Sequence, residues 1–503
     1  MTERPERPSD AAEIADDVRT LQALGYRQEL ARRMHGFSNY AVSLSIICIL
    51  AGGVTSFHVG FCTVGGAAIG LGWPLVCAFS LLVALTMAQI ASAFPTAGGL
   101  YHWASILGGR GWGWATAWFN LAGLVTVLAA INVGTFQFVA GSFWPDIAGD
   151  ARAQLLAVVA ITFTQAGINH LGIRVTAWLT DFSGWWILLV AVALTALLVA
   201  HTASIDFARL WTFDNFSGLP AADPVWPAQS SPAWLFVLGF LLPAYTITGF
   251  DASAHTAEET IHAAHAVPRG IVRSVLVSGV FGWIMLVAVV LSMPSLADAA
   301  RQGGNAFSWT VESVLPARLS QIVFGCIAVA QYLCGLATVT SASRMAYAFA
   351  RDGGLPVSHV MRRVSPRFQS PSVAIWTVAI AAVLFTLYTP VYTTITAVCV
   401  ILLYISYVLP TALGFLAHGR AWTRFGPWQM GRWYRPAAVI SVAGCLGLIV
   451  VGLQPPNEQA LYVVGAMVLW LVAWWQIRAR RVFPGPPHLS LSQIGEPRDG
   501  QRT

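Results

Sequence analysis

Thr248-Gly249-Phe250-Asp251-Ala252-Ser253-Ala254-His255 ends an 18-residue apolar run, Trp234 to Asp251, that otherwise reads as a membrane helix. A glycine followed by an acid at that depth is costly, because charge in hydrocarbon is expensive and non-helical backbone survives only where it lines a cavity. A second interruption, Ala51-Gly52-Gly53-Val54, falls near the middle of the first apolar segment, Phe37 to Gly66. Two interrupted helices, one in each half of a chain that crosses the membrane many times, point to a solute site between the halves.

The composition agrees with a bilayer as solvent. Of 503 residues, 56% are hydrophobic and 10% charged, against about 25% charged in a soluble domain. Twelve apolar spans can be counted, approximately at 38–66, 70–93, 113–140, 154–173, 177–201, 233–260, 271–293, 317–349, 372–389, 392–416, 436–453 and 460–477. They are numbered 1 to 12 below. All 28 basic residues are arginine. With the N-terminus inside, only Arg152, Arg209, Arg301 and Arg318 face outward, against nineteen facing inward once the distal tails are set aside. The outer loops carry eight acids instead. This asymmetry places both termini in the cytoplasm, and it accounts for the +6 charge without nucleic acid. The exclusive use of arginine suggests a GC-rich bacterial genome, with the plasma membrane as location. Seven cysteines, all in apolar spans, are odd in number and lack metal-ligand spacing, so they read as packing thiols. No secretory signal peptide is visible in the polar first 35 residues.

The expected organisation is a cytoplasmic tail (1–37), spans 1–5 (38–202), an external loop (203–232), spans 6–10 (233–416), spans 11 and 12 (436–480) and a C-terminal tail (481–503). In the first tail, Leu21, Leu24 and Leu30 suit a short amphipathic helix on the membrane or on the protein itself, or a plain spacer. An odd number of spans per half inverts the second half relative to the first, and each half opens with its interrupted helix.

Four stretches resemble the amino acid/choline transporter family of the amino acid–polyamine–organocation superfamily. They are Leu24-Gly25-Tyr26-Arg27-Gln28-Glu29-Leu30-Ala31-Arg32-Arg33-Met34 running into Phe37-Ser38-Asn39-Tyr40, and Ala91-Ser92-Ala93-Phe94-Pro95-Thr96-Ala97-Gly98-Gly99-Leu100-Tyr101. The others are Gly249 to His255 with Ala257-Glu258-Glu259-Thr260, and Ser341-Ala342-Ser343-Arg344 through Ala350-Arg351-Asp352-Gly353-Gly354-Leu355-Pro356. The resemblance covers about residues 24–356. It implies the all-α leucine-transporter fold, a 5+5 inverted repeat plus two extra helices, and substrates such as GABA, other amino acids, choline or related amines. Related proton-coupled carriers can use a lysine on span 5; this chain has no lysine.

A broken helix frees amide N–H groups that attract anions and carbonyls that attract cations. The expected substrate site is therefore Ala51, Gly52, Gly53, Val54 and Thr55 with Tyr245, Thr248, Gly249, Phe250 and Asp251. The amides of Gly53 to Thr55 would take a carboxylate, and carbonyls near Thr246 to Thr248 and Ala51 an amine; otherwise Gly52-Gly53 simply lets two helices pack closely. Asp251 is either a counter-ion for an amine or a proton carrier. His255, Glu258, Glu259 and His262 continue one helical face as a proton relay, or Glu258 and Glu259 pair with Arg344, Arg351 or Arg273 as an inner gate. The hydroxyls of Thr338 to Ser343, with Thr340 and Ser341 foremost, either complete a sodium site or bind neighbouring helices. Proton coupling through Asp251 or His255, sodium coupling and plain exchange are all left open, and no other cofactor is implied. Phe57, Tyr245 and Phe250 flank the breaks as gating or cation-caging candidates; Trp185, Trp186 and Tyr332 are better placed as packing. Spans 3, 8 and 10 are expected to complete the site.

An enzyme needs a nucleophile–base pair or a metal cluster, and the eleven histidines are scattered. A channel shares broken helices but commonly builds its pore from several subunits. The expected function is a secondary active transporter of an amino acid or related amine, a GABA-like zwitterion first, working by alternating access; the alternative is a choline or polyamine-type cation carrier. Oligomeric state is not readable from the sequence.

Overall fold

A computed structural model describes residues 8–388 and 392–487. Most of the C-terminal tail therefore lies outside the described residues. Among the described residues nine helices are long and apolar enough to cross a bilayer: Ala68–Ala93, Arg110–Phe143, Ala151–His170, Ile173–His201, Ala263–Ser292, Ala317–Arg351, Thr394–Ala417, Gly431–Gly452 and Glu458–Val482. They are spans 2, 3, 4, 5, 7, 8, 10, 11 and 12. Span 9 is the shorter Ser372–Tyr388. The remaining two are broken. Span 1 runs as Gly36–Ile46, then Gly52–Thr55 and Phe57–Val64. Span 6 runs as Pro232–Leu238 and Leu241–Thr246, then Ala252–His255. The twelve-segment reading of the sequence is thus recovered, with the interruptions at the two glycine-bearing stretches.

Local chemistry explains where span 6 starts and stops. Ser231 caps its first half by accepting the Trp234 amide, and Pro232 takes the first helical position, where no N–H is needed. Gly249 has φ +86°, and a Cβ there would lie 2.3 Å from Cγ2 of Ile46. Only glycine allows both that backbone and that approach.

Packing is close to symmetric when spans 1–5 are exchanged with spans 6–10. Span 2 packs on 7 and span 3 on 8, each pair mapping onto itself. The contact of 3 with 10 has its counterpart in 8 with 5, that of 1 with 5 in 6 with 10, and that of 1 with 7 in 6 with 2. This is the pairing two inverted five-helix repeats produce. Spans 11 and 12 lie outside it and present Val439, Ile440, Leu446, Leu461, Leu469 and Val472 outward.

In a bilayer no hydrophobic gradient drives helices together, so small residues and interhelical hydrogen bonds do that work. Spans 3, 4 and 8 show it. Asn132 donates to Thr162 Oγ1 at 2.8 Å and to Gln165 Oε1 at 3.0 Å. Gln165 donates in turn to the Tyr332 carbonyl at 3.0 Å. Gly335 makes room for them: a Cβ there would sit 2.2 Å from Gln165 Nε2 and 2.8 Å from Asn132 Oδ1. Gly335→Val is expected to destabilise the protein by about 1–3 kcal/mol, the usual result of overpacking, measured as a lowered melting temperature in detergent.

Candidate functional site

The two breaks meet. A Cβ on Gly52 would lie 2.9 Å from the Thr246 Cα, so span 1 touches the backbone of span 6 where both unwind. Around this crossing lies a small cavity lined by Ala51, Gly52, Tyr245, Thr246 and Thr248, with Val127 and Ile131 from span 3 and Cys334 from span 8. Its free volume is about 10 Å³, the space of a single water. No charged side chain lines it. The crossing around it offers backbone, though Gly53, Val54 and Ile247 stand outside the lining itself. Among the described residues the amides of Gly53 and Val54 meet no backbone or side-chain acceptor, and the carbonyls of Thr246, Ile247 and Thr248 receive no donor.

One face of the molecule is open down to this level. A vestibule of about 780 Å³ is lined by Val54, Thr55, His58, Gln137, Asp223, Phe307 and Tyr392, among others. Its floor is narrow. Tyr392, at the start of span 10, shares a 2.5 Å hydrogen bond with Thr55 Oγ1 and sets its ring edge-on to Tyr245, 6.3 Å between centroids.

The other face, which carries the N-terminal residues, is sealed. Glu259 and Arg344 are fully buried, with Nε and Nη2 donating to the two carboxylate oxygens at 2.9 and 3.2 Å. Arg351 holds Glu258 the same way, at 2.8 and 2.9 Å. Over these pairs lies the N-terminal segment. Its helix, Pro8–Ala23, rests on the protein with Leu21 buried, and Leu24 and Leu30 in the stretch that follows are buried as well. Asp17 accepts the amides of His262 and Ala263 at 2.7 and 3.0 Å. Gln28 donates to the Glu258 carbonyl at 2.8 Å, and Arg32 to the carbonyls of Ala257 and Thr260. The amides of Arg33 and Met34 donate to the Glu259 carbonyl, a short strand-like pairing with the end of span 6. Tyr26 lies beneath the Arg351 guanidinium, 3.9 Å from centroid to carbon, and donates to Asp352 at 2.7 Å. Burial raises the carboxyls of both Asp17 and Asp352 above the usual range, against the opposing pull of Arg32 on the first and Arg351 on the second.

Comparison with known proteins agrees with this architecture. The family model described as amino acid permease matches residues 36–477. The chain belongs to the amino acid permease family. It is 32% identical to the amino-acid permease BAT1 of Arabidopsis thaliana, over 93% of this chain and 95% of that protein. It is equally similar, at 32%, to the BAT1 homolog of rice, over 93% and 94%. A GABA-specific permease of Saccharomyces cerevisiae is 25% identical over 95% and 87%. The protein is a multi-pass membrane transporter of an amino acid or amine, not an enzyme.

Within the permease, the expected gate residues Glu258, Glu259, Arg344 and Arg351 come together as two bidentate pairs, while Arg273 stays exposed and apart. Asp251 sits below the cavity rather than in its lining. It is fully buried and bonded to His255 at 3.2 Å, Asn120 at 2.9 Å and Tyr407 at 2.9 Å. Phe250 packs on the Tyr407 ring and Phe57 on Phe61 and Phe307. Neither aromatic lines the cavity at the breaks. Thr340 is turned to span 4, donating to Asn169 at 2.7 Å, and Thr338 and Ser343 bond their own helix; Ser341 Oγ has no partner. Toward the span 1 break, span 8 presents Cys334, 3.4 Å from the Ile46 carbonyl, and Gln331, 3.2 Å from that of Leu50. His262 is exposed on the surface, so the ladder from Asp251 does not continue to it as a buried face. Trp185 is exposed and stacks on Phe37, and Trp186 bonds the Cys326 carbonyl, both as packing. Sequence reasoning missed Asn120, Tyr407 and Tyr392; for the N-terminal segment it offered a helix on the protein as one alternative, without its bonds to the end of span 6. Asn120 carried a signal, an amide inside an apolar span; the tyrosines did not stand out among 12.

Two measurements follow from this geometry. Gly53 has only Met285 and Leu286 near its Cβ position, at 3.8–3.9 Å, whereas Gly52 faces backbone. Gly53→Ala should fold and transport, while Gly52→Val should displace the span 6 break and remove uptake from a protein that still elutes as a single species. Arg344→Ala leaves the Glu259 carboxylate buried and unpaired, a loss of about 3–5 kcal/mol. The double change Arg344→Gln with Glu259→Gln should recover part of it in a thermal melt.

Proposed function

We propose that the permease is a secondary active transporter of a small zwitterion of the GABA type, working by alternating access. The observation that carries this reading is the pair of unpaired backbone sets at the crossing: free amides at Gly53 and Val54, free carbonyls at Thr246 to Thr248, and no charged side chain between them. Amides select a carboxylate and carbonyls an ammonium group, so a molecule carrying both satisfies the site with no net charge left in the membrane. A choline or polyamine-type cation offers nothing to the amides, and both oxygens of Asp251 are already engaged.

Alternating access is supported by the contrast between the faces. A vestibule leads to the crossing from one side, and two buried ion pairs under a folded N-terminal segment close the other. The cavity is too small for any amino acid until Tyr392 and Tyr245 part. A pore with one face sealed by bonded charges suits a carrier better than a channel. The one-sided distribution of arginine supports a cytoplasmic N-terminus and sealed face, with the vestibule opening outside the plasma membrane.

Uptake of labelled GABA and labelled choline into proteoliposomes tests the reading. Saturable GABA uptake, with counterflow when unlabelled GABA is inside, is the expected result. Choline uptake alone would overturn the zwitterion site, and currents far above carrier turnover would overturn the carrier.

A further inference from the structure

His255 is fully buried, and each of its ring nitrogens faces an acceptor. Nδ1 lies 3.1 Å from the Ala97 carbonyl oxygen, and Nε2 lies 3.2 Å from Oδ2 of Asp251. A carbonyl has no proton to give, so Nδ1 must carry one. The other contact then needs a proton of its own, on Nε2 or on the carboxyl. Asp251 has no other way to satisfy it. Its Oδ2 also accepts from Asn120 Nδ2 at 2.9 Å, and its Oδ1 accepts from the Tyr407 hydroxyl at 2.9 Å. That hydroxyl in turn accepts the Gly249 amide at 3.0 Å, which turns its proton toward Asp251. The bonds therefore count one proton more than a carboxylate beside a neutral imidazole would hold. The pair is neutral as a whole, which suits a site with no exposed surface.

We propose that the Asp251–His255 pair is the binding site for a coupling proton, and that Ala97 carries its occupancy to the gate. Ala97 belongs to the loop Phe94 to Gly99 between spans 2 and 3, and it is bonded on both sides. Its carbonyl accepts from His255, and its amide donates to Glu258 Oε1 at 3.1 Å, the carboxylate that Arg351 holds. When the proton leaves, the Nε2 lone pair faces Oδ2, and the ring must give up either Asp251 or Ala97. Releasing Ala97 takes one donor from Glu258 and loosens the seal on the cytoplasmic face. By linkage the opened seal binds the proton less tightly. A proton taken up from the vestibule side while the seal is closed is therefore released to cytoplasmic water once bound substrate drives the seal open. One proton and one zwitterion then move together, and the step carries one positive charge inward. No bond other than that to the proton is made or broken.

The titratable and charged groups around the pair are few. Span 10 contributes Tyr407 and Tyr404, and span 3 contributes only the neutral Asn120. Beyond His255 on its own element stand Glu258 and Glu259, each held by arginine from span 8. Across the Ala97 loop is His102, bonded to Thr96 at 2.9 Å. The span 8 hydroxyls offer a sodium ion one free oxygen, at Ser341, and the position facing the Ile46 carbonyl is a thiol. Sodium prefers several oxygens.

The inference rests on the transport reading above, and two arms keep their failures apart. In the first, proteoliposomes containing a trapped pH dye receive external GABA with a negative-inside potential. Lumenal acidification that accompanies GABA uptake, without sodium, is expected; GABA uptake with no acidification overturns the proton site and leaves the transporter standing. In the second, which needs no substrate, Ser343→Cys reports the seal, because Ser343 is fully buried beside Arg344. Labelling by an impermeant maleimide from the cytoplasmic side, above the background of the parent, should rise about tenfold as pH rises through the titration of the pair. His255→Gln should abolish that pH dependence. Tyr407→Phe, which removes one donor to the carboxylate, should move the midpoint to higher pH and serves where His255→Gln does not fold. Labelling independent of pH in the otherwise unaltered protein, or an unchanged midpoint in Tyr407→Phe, would overturn the proposal.

Discussion

Polar backbone exposed inside a membrane must find partners within the protein, and the two unwound stretches of this permease are the places where that requirement is hardest to meet. Most of their groups are matched one by one. Ser43 donates to the Phe250 carbonyl and accepts the Ser253 amide; Asn39 donates to the Ser253 carbonyl. Gln331 reaches the Leu50 carbonyl from span 8, and Tyr407 takes the Gly249 amide from span 10. Among the described residues several groups of both breaks remain unmatched, and those nearest the crossing include the amides of Gly53 and Val54 and the carbonyls of Thr246 to Thr248. Span 8 therefore serves twice, bonding the backbone through Gln331 and walling the cavity with Cys334, while span 3 walls it with Val127 and Ile131 and span 10 bonds the backbone through Tyr407.

The same economy governs the seal on the face that carries the N-terminal residues. Buried ion pairs contribute little net stability, because desolvation offsets most of their attraction. Their advantage is directional. The two carboxylates of span 6 and the two arginines of span 8 hold tightly when aligned and lose almost everything when parted, which suits a closure that must open. The N-terminal segment adds main-chain hydrogen bonds to the same end of span 6. Closure thus depends on three parts of the chain far apart in sequence, residues 17–34, the Ala97 loop and the end of span 8. The proposed proton site is bonded to one of them.

The fold was largely legible from residue pattern. Runs of apolar residues long enough to span a bilayer, and the glycines that interrupt two of them, gave the spans and the breaks because hydrophobic length and backbone freedom are local properties. The pairing of Glu258 and Glu259 with arginines was legible too, since charge at membrane depth demands a partner. The identity of each partner was less so: Arg344 and Arg351 were named alongside Arg273, and only helix geometry separates them. The role of Asp251 was the hardest to see. Its cost in the membrane marked it as important, but its three donors come from spans 3, 6 and 10, and none is near it in sequence except His255. Thr340 shows the opposite case, a hydroxyl on a promising helix that faces span 4 because of its angular position around the helix axis.

By itself the sequence determined a twelve-span membrane protein, its one-sided distribution of arginine, the two helix interruptions and the charged end of span 6. Each follows from a property that a residue carries with it: transfer energy, charge, or freedom at φ above zero. Tertiary structure alone decided that the breaks cross at Gly52 and Thr246, that the N-terminal residues lie over the ion pairs, and that His255 stands between a carboxylate and a carbonyl. Those facts depend on the relative placement of helices hundreds of residues apart. Hydrogen bonds are directional and end within about 3.2 Å, so no reading of residues one after another can locate them.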